Sequence, residues 1–173
     1  MLKAILTGVI LTLAIILGGA YYYFSQGKAP VATSEPPMPF EETFAHMALK
    51  ARIAKEAPAG EGAPADETNL LAGAQVYRAN CAVCHGLSDA PESAITKGMF
   101  PKPPQLLKGK GVTDDPAGET YWKVKNGIRL TGMPAYGSSL TDTQLWQVSM
   151  LLAKADKLTP AVKKVLAEPL VIK

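Results

Sequence analysis

Cys81 and Cys84 are the only cysteines in the chain, one helical turn apart, with His85 directly behind the second. Two thiols and an imidazole in that order have separate uses. Each thiol can add its S–H across a vinyl group of a porphyrin to form a thioether. The adjacent imidazole is then held where its Nε2 binds iron from one face. The run Cys81-Ala82-Val83-Cys84-His85 therefore points to one covalently attached haem. Two other chemistries use the Cys-x-x-Cys spacing. A zinc site takes four ligands, and beyond these three the chain offers only the distant His46. A redox dithiol of thioredoxin type needs a βαβ setting, and no β pattern or internal repeat is visible. Two cysteines also exclude a disulfide-rich scaffold.

The elements that must position this turn read as helices. Asp66 or Thr68 caps a helix running to Asn80, with Leu70, Ala74 and Tyr77 on its apolar face, and that helix delivers the chain into Cys81. A long irregular stretch follows, with Pro91, Pro101, Pro103 and Pro104. Such a length is unusual in a compact domain unless it wraps a large apolar cofactor. A helix over about 119–126 ends at Gly127, a suitable C-cap. A Gly/Pro loop over 131–137 leads to a last main helix, with Thr141 as N-cap and Leu145, Val148, Leu151 and Leu152 as its inner stripe. Pro160 closes that helix, and 161–167 is a short amphipathic tail.

Outside this core the chain changes character. From Ala4 to Phe24 no residue is charged, and as a helix that run spans roughly 30 Å, the thickness of a bilayer core. Tyr21, Tyr22, Tyr23 and Phe24 close it with aromatics suited to the membrane–water interface. The amino terminus and Lys3 precede it, which holds the N-terminus in the cytoplasm and sends the rest outside. An uncleaved anchor and a cleaved signal peptide, with Gly18-Gly19-Ala20 as the peptidase site, both fit; both export the domain. Residues 25–39 read as a linker. Phe40, Phe44, Met47, Ala48 and Ala51 recur at helical spacing over 40–56, with Glu41 and Glu42 at the start and Lys50, Arg52 and Lys55 near the end, as the helix dipole favours. This helix packs on the domain, lies on the membrane surface or docks a partner. Residues 57–65 read as a second flexible spacer. The net charge of +3, from 18 basic and 15 acidic residues, includes no basic run and argues against a nucleic-acid partner.

Leu70–Asn80, Cys81–His85, the proline-rich stretch, a middle helix, Gly132-Met133-Pro134 and a final helix follow one another in the order of the class I cytochrome c family, and residues 69–157 resemble it. Gly73 and Tyr77 match the family's first helix and Val148 and Leu151 its last, although an aromatic usually stands where Leu151 does. The resemblance implies an all-α class I cytochrome c fold wrapped around a single haem c, here with an N-terminal transmembrane helix. It implies Met133 as the sixth ligand opposite His85. Among the chain's other candidates Met99 is the rival, Met150 reads as core packing or exposed, Met38 and Met47 lie outside the domain, and His46 is a further alternative. It implies that the Pro104 carbonyl orients the His85 ring and that Leu106 touches the porphyrin; Tyr136, Trp122 and Ile128 either line the pocket or are ordinary core. Lys97, Lys102, Lys108, Lys110, Lys123 and Lys125 fall where docking to acidic partners would use them, or are simply solvated.

The resulting organisation is an anchor or signal peptide over 1–24, a linker with a short helix over 25–65, a cytochrome domain over 66–159 and a tail over 160–173. With His/Met ligation both axial positions are filled, which leaves electron transfer rather than catalysis on a small-molecule substrate. The expected partners are a membrane, redox proteins or a membrane electron-transfer complex. The expected place is a bacterial inner membrane, with the haem domain on the periplasmic or outer side. A haem enzyme or gas sensor with a labile sixth ligand, and a docking subunit whose haem is secondary, are the alternatives.

Overall fold

The computed structural model describes residues 1–169, and within them regular structure is entirely helical. The chain divides into two compact units, residues 1–43 and the remainder from Phe44 on.

The first unit is dominated by α1 (Leu2–Ser25), in which no residue is buried. Its most apolar 18-residue window has a mean hydropathy of 2.2, making it long and apolar enough to cross a bilayer. At its end Lys28 lies 5.0 Å from the centre of the Tyr22 ring, a cation–π contact at the aromatic cluster. The linker beyond makes local turns, with Glu35 accepting hydrogen bonds from the Val31 and Ala32 amides at 2.7 and 2.8 Å.

In the second unit the packing centre is the crossing of α3 (Glu67–Asn80) and α7 (Asp142–Ala153). Asp66 caps α3, its carboxylate accepting from the Asn69 amide at 2.8 Å. Thr141 and Gln144 form a reciprocal capping box at the start of α7. The predicted stripe of Leu145, Val148, Leu151 and Leu152 is buried, and Met150 joins it with no exposed surface. The two helices come close because α3 carries glycine at the contact: a Cβ on Gly73 would lie 2.3 Å from the Gln147 carbonyl oxygen. Trp146 stacks on Tyr121 of α6 (Ala117–Asn126), ring centroids 4.4 Å apart and planes 23° apart. α6 begins two residues earlier than its expected start and ends as expected at Gly127, whose φ of 67° takes the chain sharply out of the helix.

The packed unit is longer at both ends than residues 66–159. α8 (Pro160–Ala167) buries Val162 and Leu166 in the core, and Arg78 closes its C-terminus by donating to the Val165 and Glu168 carbonyls at 2.6 and 2.7 Å. Proline at the first position starts α8 rather than merely ending the helix before it. On the other side α2 (Glu41–Glu56) buries Ile53, and the stretch expected to be a flexible spacer lies along the domain. The Glu56 carboxylate accepts from the Trp122 indole at 3.1 Å, Ala63 is buried, and Gly62 lies so close to Trp146 that a Cβ would meet its ring at 2.1 Å. The composition suggests flexibility, but the missing side chains at Gly62 and at Gly118, which faces the Pro58 carbonyl, are what let this strap lie flat. Residues 170–173, part of the expected tail, fall outside the described residues.

Candidate haem-attachment site

Tyr77, fully buried near the end of α3, donates its hydroxyl hydrogen bond to the Gly86 carbonyl at 2.7 Å, with the His85 carbonyl 3.2 Å away. It thereby holds the end of the attachment turn against the helix that precedes it. The turn itself is α4 (Ala82–His85), in which the His85 amide donates to the Cys81 carbonyl at 2.9 Å and the Gly86 amide to the Ala82 carbonyl at the same distance. Both thiols therefore sit on one turn with the imidazole directly after them. Gly86 ends the turn at φ 72°, where any other residue is strained.

The His85 ring is oriented by a carbonyl 19 residues on: its Nδ1 lies 2.8 Å from the Pro104 oxygen. A carbonyl only accepts, so Nδ1 carries the hydrogen and Nε2 presents a bare lone pair. Burial lowers the pKa of the ring from its ordinary 6.5, with the Pro104 bond acting in the opposite direction. Burial thus favours the neutral imidazole, which is the form that binds a metal. Burial, and then the neighbouring Cys84, push the Cys81 thiol up to about 12. Among the described residues no three His, Cys, Asp or Glu side chains converge on a possible metal position.

Met133 is anchored through its backbone. Its amide donates to the Thr131 hydroxyl at 3.1 Å and its carbonyl accepts from the Ile128 amide at 3.2 Å. The loop then returns to α6, where the Tyr136 amide donates to the Val124 carbonyl and the Gly137 amide to the Lys125 carbonyl, each at 3.0 Å. The Tyr136 hydroxyl donates to the Asn80 carbonyl at 2.8 Å, directly tying the methionine loop to the residue before Cys81. Leu106, Met133, Tyr136 and Leu140 pack against the core while remaining partly exposed.

Other sequence candidates lie elsewhere. Met150 is core, and His46 and Met47 lie on exposed turns of α2. Trp122 faces the strap through its bond to Glu56. Of the six lysines, five have partners close at hand. Lys102 pairs with Glu92 at 2.8 Å and Lys110 with Asp114 at 2.6 Å. Lys108 donates to the Ala90 carbonyl, Lys123 lies 3.7 Å from both Asp115 and Glu119, and Lys125 donates to the Tyr121 hydroxyl. Three of the six, Lys102, Lys110 and Lys123, thus face carboxylates. Residues not singled out from the sequence complete the site. Ser93 and Thr96 donate to the Val83 and Cys84 carbonyls, and Gln105 donates to the latter at 3.3 Å. The available signal was the Ser93-x-x-Thr96 capping pattern within the irregular stretch.

The residues fit a covalently held haem: two thiols on one turn, an imidazole oriented through Nδ1 with its Nε2 turned away from that bond, and partly exposed apolar side chains that include the Met133 thioether. A family model described as cytochrome c oxidase, cbb3-type, subunit III matches residues 68–150. No curated protein and no solved structure matches the chain.

Proposed function

The chain is a member of the class I c-type cytochrome family, and from that premise we propose that it is a membrane-tethered mono-haem carrier passing single electrons between redox partners on the periplasmic or outer side of a bacterial inner membrane. Haem c supplies a one-electron Fe(III)/Fe(II) couple. The chain's own residues would bind it and limit how far its ligands move. Cys81 and Cys84 would hold it as thioethers, and His85 and Met133 would supply the iron ligands. Pro104 fixes the His85 tautomer, and Leu106 and Tyr136 would lie against the haem. The observation that carries this reading is the 2.8 Å approach of His85 Nδ1 to the Pro104 carbonyl, which leaves Nε2 free beside two thiols. With a thioether opposite, the softer ligand favours Fe(II) and raises the potential.

Within this function, a fixed subunit of a respiratory or photosynthetic complex is favoured over a freely swinging shuttle. The strap over 57–65 is held to the domain by Glu56, Gly62 and Ala63, so the head has one tether, the 25–40 linker, rather than two. The matching family's own description names an oxidase subunit. The enzyme and gas-sensor alternatives find no distal histidine: His85 is the only histidine from Glu67 on, and His46 is exposed on α2.

The test is a redox titration of the full chain, purified in mild detergent, with haem and protein quantified on the same sample. One haem per chain and a single one-electron Nernst curve, unchanged by carbon monoxide or peroxide, are expected. A five-coordinate spectrum, or turnover of peroxide, would assign the protein to the enzyme class instead. Co-purification with other haem or copper subunits separates the complex subunit from the shuttle.

A further inference from the structure

We propose that the short helix α5 (Ala94–Gly98) is a positioning bracket that ties the attachment turn to the methionine loop, through the hydroxyls of Ser93 and Thr96 at one end and the thioether of Met99 at the other. The proposal rests on the reading of His85 and Met133 as the two axial ligands.

The need for such a bracket follows from the turn. Because Gly86 breaks the helix directly after His85, the last carbonyls of the Cys-x-x-Cys-His turn have no further helical amides to accept from. Two are satisfied by α5. Ser93 Oγ donates to the Val83 carbonyl at 2.8 Å, and Thr96 Oγ1 donates to the Cys84 carbonyl at 2.7 Å. The two hydroxyl oxygens lie 3.0 Å apart, and Ser93 also accepts from the Thr96 amide at 3.0 Å, so the pair is one preformed unit. Thr96 is 1% exposed. Water cannot readily replace its hydroxyl, and the second donor to the Cys84 carbonyl, Gln105 Nε2, is weaker at 3.3 Å. Since Cys84 is peptide-linked to His85, holding this carbonyl fixes the backbone from which the imidazole projects.

The other end of the element reaches the opposite ligand. Met99 follows α5 directly, its amide hydrogen-bonded to the Thr96 carbonyl. Its methyl group lies so near Gly132 that an added Cβ would be 1.9 Å from it. Gly132 immediately precedes Met133. One short element, with the methionine that follows it, thus reaches the residue beside each axial ligand, through hydrogen bonds on the His85 side and van der Waals contact on the Met133 side. Such a bracket keeps the two ligands at a constant setting as the oxidation state changes. Met99 acts here as a positioning residue, not as a rival ligand.

The test uses full-length, haem-loaded protein and the variants Thr96→Val, Thr96→Ser and Met99→Leu. Valine keeps the volume of threonine and loses the hydroxyl; serine keeps the hydroxyl. The readout is the pH at which the ferric methionine-to-iron charge-transfer band disappears, followed with the hyperfine-shifted NMR resonances of the His85 ring. All the hydrogen bonds shown for Thr96 lie on α5 and the attachment turn, yet Thr96→Val is expected to loosen Met133. The band should be lost about one pH unit lower, roughly a tenfold weaker hold on the ligand from one buried hydrogen bond. Thr96→Ser should restore the wild-type value, and Met99→Leu should shift the band with little change at His85. If Thr96→Val lowers thermal stability but leaves band and ring resonances as in wild type, the clamp is merely structural and the proposal fails. If the wild type has no such band, it is the Met133 assignment that fails. The bracket is then judged on the His85 resonances alone, which Thr96→Val must move and Thr96→Ser must not.

Discussion

Replacing Gly73 by alanine adds one methyl group where α3 and α7 touch, and the structure fixes what that methyl meets. The new Cβ would sit 2.3 Å from the Gln147 carbonyl oxygen and 2.8 Å from its carbon, with the Leu151 Cβ at 3.2 Å. The first two obstacles are backbone within a helix, so no rotamer change relieves them. Ordinary contact at about 3.4 Å requires the helices to part by about 1 Å, and a gap of that size forfeits a quarter to a half of the dispersion energy of the surrounding contacts. Tyr77, Ala74, Val148 and Leu151, all with no exposed surface, line this contact. Overpacking of this kind costs up to about 3 kcal/mol, and alanine's better helix propensity returns about 1 kcal/mol. The net loss is about 2 kcal/mol, or about 8 °C in Tm for a unit of this size. Melting of the haem-loaded chain followed by far-UV circular dichroism measures it. Gly98→Ala is the control, since a Cβ there meets nothing within 4 Å. Because α3 runs straight into Cys81, the Soret band should shift before the global melt in Gly73→Ala. A Gly73→Ala protein as stable as the control would refute the close crossing and the reasoning built on it.

The strap and its contacts give two further predictions. Gly118→Ala would bring a Cβ to 2.0 Å from the Pro58 carbonyl oxygen, so it should lift residues 57–65 and speed tryptic cleavage at Arg52 and Lys55 severalfold without altering the haem spectrum; unchanged cleavage contradicts the docked strap. Glu56 is held below its ordinary pKa of 4.5, first by its hydrogen bond from Arg52 and then by that from Trp122. A lowered carboxylate pKa means that the contact is complete above 4.5 and is lost as pH falls through the depressed value. The Trp122 indole N–H resonance should therefore hold steady to below pH 4.5 and then move, and in Arg52→Ala it should move at higher pH; a resonance indifferent to both would remove Glu56 as its partner.

The helices were legible because their signals are periodic and local. Asp66, Thr141 and Gly127 act as caps at the positions their residue types suggest, and the leucine stripe of α7 faces inward. The attachment turn was legible because each of its residues has its own chemical duty. The strap was not, because glycine and alanine have two opposite uses: they leave a chain free, and they let it approach another surface closely. Only the partner surface, here Trp146 and Gly118, distinguishes these. The tail was underestimated for a related reason. Val162 and Leu166 make a short stripe whose burial depends on α3 and on Arg78, far away in sequence. The lysines show the limit of reading charge residue by residue, since Lys102 and Lys123 meet Glu92 and Asp115 eight or more positions away, while Lys110 pairs with its near neighbour Asp114. Ser93 and Thr96 sat within an irregular stretch whose hydrogen-bond partners were not visible locally.

The most direct test of the account is the ferric visible spectrum of the full-length protein beside its Met133→Ala variant, with Met99 left in place. The account predicts a low-spin haem c with a methionine-to-iron charge-transfer band in the wild type. In the variant that band should vanish and the midpoint potential should fall, while the haem stays covalently bound through Cys81 and Cys84. A band that persists in Met133→Ala, or a wild-type haem already five-coordinate, would contradict it.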